Sequence, residues 1–135
     1  MGAGHHDRCA PFWAAALVVL CAIGVFSTFV DGGPFWNGYV LDMTGPAWSY
    51  ILFRGLFTAE ASNLWTRTFT PFRTLAVGLA ACLGIETVQY FEFYDSTYDP
   101  WDFLAYVSLL VPVFLVDLWQ SSREPEAPRR ADPTA

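Results

Sequence analysis

The feature that most restricts this chain is an uninterrupted apolar run of bilayer length. Residues 12–30 carry no charged side chain. A helix needs about 20 mostly apolar residues to cross the roughly 30 Å hydrocarbon core of a membrane. Three further stretches approach that length. Residues 39–57 hold Asp42, Pro46 and Arg54, residues 74–94 hold Glu86, Gln89 and Glu92, and residues 102–119 hold Pro112 and Asp117. The expectation is an all-α integral membrane bundle of four transmembrane helices over residues 12–119. Residues 1–11 then form a short cytoplasmic tail, and residues 120–135, rich in Pro, Arg and Glu, a disordered one. A signal peptide is the alternative for the first run. Its apolar core exceeds the usual ~7–15 residues, and no small-residue cleavage pattern follows.

Composition agrees. Hydrophobic residues make up 54% of the 135 and charged residues 15%, against about 25% charged in ordinary soluble domains. The formal net charge is −6 and there is no Lys, so no basic nucleic-acid surface exists. Cys9, Cys21 and Cys82 form neither a CxxC pair nor an even-numbered framework. His5, His6, Asp7 and Cys9 contain metal-ligating types, but without a zinc-type spacing. No cofactor or metal is expected.

The arginines set the orientation. Arg8 precedes the first run, Arg67 and Arg73 lie between the second and third, and Arg123, Arg129 and Arg130 follow the fourth. Four crossings put all six on one side, which the positive-inside rule makes cytoplasmic. Omitting the second crossing would separate Arg8 from Arg67 and Arg73. Arg54 reads as a snorkelling anchor at the cytoplasmic end of its span. Trp13, Trp36, Trp101 and Trp119 fall near span ends, as in an interfacial aromatic belt. The expected location is the bacterial inner membrane, in contact with the lipid bilayer.

An ionisable group within a span is costly and points to function by default. Glu86 lies eight residues before Tyr94, ~12 Å from the external end at 1.5 Å per residue. Gln89 shares its face, three residues on. Four crossings bring Asp42, Glu86, Gln89 and Asp102 together in the external half, with Tyr98 and Tyr106 in reach. Each has a plainer reading. Asp99 and Asp102 suit the start of a helix, where carboxylates cap free N–H groups. Glu86 can serve as hydrogen-bonding glue between helices. Glu92 and Asp117 read as solvated span ends.

The run Ile85, Glu86, Thr87, Val88, Gln89, followed by Tyr98, Asp99, Pro100, Trp101, Asp102, Phe103, Leu104, Ala105, Tyr106, resembles the VanZ-like family of small polytopic membrane proteins, named for a protein associated with teicoplanin resistance. Its signature is Glu-x-x-Gln on one helix, a short loop, and an Asp opening the next. Glu86, Gln89 and Asp102 occupy those positions, and Asp99 an acidic position three residues before. The chain departs from the pattern in three places: the loop lacks an Arg, Tyr106 stands where Asn is usual, and Leu109 where Gly is common. The resemblance implies a fold and an envelope location more than a reaction. The expected function is binding of a lipid-linked or cell-wall-related ligand, or of a membrane partner, in a polar pocket built from Asp42, Glu86, Gln89, Asp99, Asp102 and Tyr106. The alternatives are a small oligomeric proton- or ion-coupled transporter and a non-catalytic accessory subunit. Homo-oligomers fit either. An enzyme is the weakest reading, since no Ser/His or Cys/His pair lies within the spans.

Overall fold

A computed structural model describes residues 5–58, 64–91 and 99–123 of the chain. Among these there is no strand. Four long helices, α1 (His5–Ser27), α2 (Pro34–Arg54), α4 (Pro71–Tyr90) and α5 (Pro100–Ser121), accompany one short one, α3 (Leu64–Thr68). Glu92, Tyr98 and residues 124–135 lie outside the described residues. α1 begins at His5, so the segment expected as a tail is helical from there.

Local chemistry sets the helix boundaries. α1 closes with hydroxyls folded onto its own last carbonyls, Ser27 Oγ donating to Gly24 O at 2.7 Å and Thr28 Oγ1 to Val25 O at 2.7 Å. The connection to α2 is pinned by Asp31, whose carboxylate accepts from Asn37 Nδ2 at 2.8 Å and from the Gly33 N–H at 3.1 Å. These two donors, Asn37 foremost, hold the Asp31 carboxyl below its usual range. Gly33 takes φ 95°, open to glycine, and Pro34 starts α2 with φ already helical. α2 stops at Gly55 in the left-handed region, where the Gly55 N–H donates to Leu52 O at 3.1 Å and the Leu56 N–H to Ile51 O at 3.3 Å. α3 then folds back on this end. Trp65 Nε1 donates to Phe53 O at 2.7 Å, and its ring stacks on Phe53.

Pairings across the bundle give the helix directions. Trp13 on α1 meets Gln120 on α5, Nε1 to Oε1 at 2.8 Å, joining the start of one to the end of the other. Tyr39 and Tyr50 on α2 meet Asp99 and Asp117 on α5, so these two run the same way. Glu86 and Phe72 on α4 meet Tyr106 and Phe114 on α5, so these run oppositely. The six-residue link from Ser27 to Pro34 makes α1 and α2 a hairpin. The result is an up-down-up-down arrangement. Arg8, Arg54, Arg67, Arg73 and Arg123 gather at one end, and Asp31, Asp42, Asp99 and Asp102 toward the other.

The apolar core sits toward the basic end and comprises Trp13, Tyr50, Ile51, Leu56, Leu110 and Phe114. Trp13 was expected at a membrane interface, yet it is buried in this core, because its indole N–H finds Gln120 inside the bundle. The outward faces stay apolar: Phe12, Val18, Val19 and Phe26 on α1, Leu83 and Val88 on α4, and Leu104, Leu115 and Val116 on α5 are exposed. Water does not tolerate so continuous an apolar surface, whereas lipid does. Three helices are long and apolar enough to cross a membrane, Arg8–Ser27, Pro71–Tyr90 and Pro100–Ser121. The chain is a helical membrane protein.

A candidate polar pocket between the second, fourth and fifth helices

Glu86 lies one turn from the end of α4 and turns inward, 7% exposed. Tyr106, 4% exposed, donates its phenol hydrogen to Glu86 Oε1 at 2.8 Å, tying α4 to α5. The other carboxylate oxygen, Oε2, is buried with no partner, and so is Oε1 of Gln89, one turn further along the same face. An unpaired buried acceptor is expensive, on the order of 1–3 kcal/mol.

Next to this pair a cavity of ≈ 370 Å³ separates α2 from α4. Asp42, Gln89 and Tyr106 line its acidic end. Pro46, Val77, Gly78 and Ala81 line its middle, and Tyr50, Phe53 and Thr74 its basic end. Glu86 stands behind that wall, between Cys82 and Gln89 in sequence and bonded to Tyr106. Asp42, Glu86 and Asp102 are within electrostatic reach of one another. The described residues thus bring together Asp42, Glu86, Gln89 and Tyr106, with half-buried Asp102 nearby.

Asp99 serves differently. It caps α5, accepting from the Trp101 N–H at 3.0 Å through Oδ1, while Oδ2 accepts from the Tyr39 hydroxyl at 2.8 Å. It therefore ties the start of α5 to α2 and is not part of the cavity wall. Tyr39 was not anticipated. Its only sequence signal is a phenol at the external start of a span, which reads equally well as an interfacial anchor. A second cavity of ≈ 470 Å³, bounded by Phe35, Tyr39, Met43, Trp101, Leu104, Ala105 and Ser108, opens beside this junction and is lined almost wholly by apolar groups.

Two sequence expectations are overturned at the basic end. Asp117 is not a solvated span end, being 1% exposed. Arg54 is not a free snorkelling anchor, since its Nε donates to Asp117 Oδ2 at 3.0 Å. The same oxygen accepts from the Tyr50 hydroxyl at 2.6 Å, and Oδ1 accepts from Ser121 Oγ at 3.3 Å. The physical reason is register. α2 and α5 run parallel, so Arg54 and Asp117, each near the end of its helix, reach the same depth on facing sides. This cluster and the core beside it close the bundle beneath the cavity.

No three His, Cys, Asp or Glu side chains among the described residues are disposed to hold a metal ion. Compared with family models, curated proteins and solved structures, the chain gives no match.

Proposed function

We propose that this chain is a four-crossing protein of the bacterial inner membrane, VanZ-like in kind, that binds a lipid-linked or cell-wall-related ligand in the cavity between α2 and α4. The observation that carries the reading is the pairing of a ≈ 370 Å³ cavity, mostly apolar along its length, with a buried acceptor at one end, Gln89 Oε1, that no group among the described residues satisfies, and a second, Glu86 Oε2, just behind the wall. That is the usual makeup of a small-molecule site: an apolar slot with a few polar groups that fix orientation. α2 has 21 residues, about 31 Å at 1.5 Å per residue, which suffices for a crossing. Its charges at Asp42 and Arg54 are tolerable because one faces a cavity and the other an acid. The arginines at the basic end favour that end as cytoplasmic, which turns the pocket outward.

A conducting path is less well supported. The cavity ends at Tyr50 and Phe53, above the packed core and the Arg54–Asp117 pair. Binding fits a closed end better than transport does.

Native mass spectrometry of the protein purified from its own membranes tests the reading. The wild type is expected to carry a co-purifying amphiphile. Ala81→Phe, which puts a ring into the cavity, is expected to lose it while keeping its helicity and abundance. Equal retention of lipid by both proteins would place the binding surface elsewhere.

A further inference from the structure

We propose that the ligand is recognised through a protonated amine: the cavity takes an alkyl or acyl chain along its length and an ammonium group at its acidic end. This rests on reading the cavity as a ligand site and names the chemistry it selects. Acceptors predominate there. Asp42 and Gln89 line that end, Gln89 Oε1 is buried without a partner, and Glu86 Oε2, likewise unpartnered, stands just behind the wall. Tyr106 is the one hydroxyl there, and its hydrogen is spent on Glu86 Oε1 at 2.8 Å. No Arg or His lines the cavity, and Arg54 is held by Asp117. Buried acceptors call for donors, and an ammonium brings three with no acceptor of its own. It also brings the charge that Asp42, Glu86 and Asp102 together favour, whereas a phosphate would meet repulsion. A bare metal ion is a poor occupant, since the described acids do not cluster as ligands and ≈ 370 Å³ far exceeds an ion. The apolar middle of the slot fits hydrocarbon.

The test uses the full chain in dodecyl maltoside with Cys9→Ser and Cys21→Ala, leaving Cys82, which lines the cavity, as the only thiol. Tetradecylamine, tetradecanol and tetradecyl phosphate are compared for their power to slow alkylation of Cys82 by N-ethylmaleimide. The rise in Tm is read in parallel, so that a slow thiol does not decide the result. The amine is expected to act at about tenfold lower concentration than the alcohol, and the phosphate to be weakest, a tenfold step being the scale of one charge-assisted contact. Asp42→Asn and Glu86→Gln are each expected to narrow the gap between amine and alcohol without removing protection by the alcohol. Equal potency of amine and alcohol, or preference for the phosphate, overturns ammonium recognition and leaves the cavity as a ligand site. No effect of any of the three on either readout overturns both.

Discussion

At the residue scale, Asp117 shows how far a neighbour changes what a charge means. An acid near the end of an apolar run reads as wet, yet here Tyr50, Arg54 and Ser121 satisfy it inside the bundle. Removing one member of a buried pair strands the other. Arg54→Met is therefore expected to destabilise the folded protein by about 3–5 kcal/mol. Arg54→Met combined with Asp117→Leu should recover most of that loss, because no uncompensated charge remains. Reversible unfolding in mixed micelles measures both, and a double variant no more stable than the single would refute the pairing as a stability element. Tyr106→Phe probes the other network. It removes the donor to Glu86 Oε1, leaving a second buried oxygen without a partner, and is expected to cost about 1–3 kcal/mol in the same assay.

At the scale of elements, the contact between α1 and α2 depends on an absent side chain. A Cβ built at Gly24 would stand 2.5 Å from Thr44 Oγ1 and 3.3 Å from Leu41 Cδ1. Thr44 is buried and its hydroxyl donates to Val40 O at 2.8 Å, so it has little room to yield. Gly24→Ala should push the two helices apart and cost about 1–3 kcal/mol, the usual scale of overpacking. Gly38→Ala is the control. Nothing lies within 4 Å of its added Cβ, and alanine favours the helix over glycine by up to about 1 kcal/mol. It should leave stability unchanged or raise it. Comparable gains at both positions would mean that helix propensity outweighs the close approach at Gly24, and a loss at Gly38 as large as at Gly24 would refute the close approach as the cause.

At the scale of the whole molecule, topology turns on whether α2 crosses alongside α1, α4 and α5. Single cysteines at Gly32, between α1 and α2, and at Thr70, at the start of α4, separate the possibilities in a background lacking the native thiols. With α2 across the membrane, an impermeant maleimide applied to intact cells should label position 32 and spare position 70. Labelling of both or neither would place them on one side and leave three crossings. A cysteine at Ser122 is expected to behave like the one at position 70, since α4 and α5 form a further antiparallel pair.

The apolar runs were enough to foresee helices of bilayer length, because burying that much hydrocarbon leaves a chain few alternatives. Helical periodicity likewise put Glu86 and Gln89 on one face, since residues three apart align whatever surrounds them. The three arginine-bearing segments outside the apolar runs suggest an even number of crossings, and the described arginines gather at one end of the bundle. The tertiary structure decided what each face meets. It gave Glu86 one partner and left its second oxygen bare, turned Trp13 from an interfacial belt into the core, and spent Asp99 on a helix cap and on Tyr39. Arg54 and Asp117 lie on different helices, 63 residues apart, and nothing in either helix alone points to their pairing. Their meeting depends on the parallel register and rotation of α2 against α5. Periodicity along one helix carries no record of those two quantities, which arise only when side chains of both helices pack against each other.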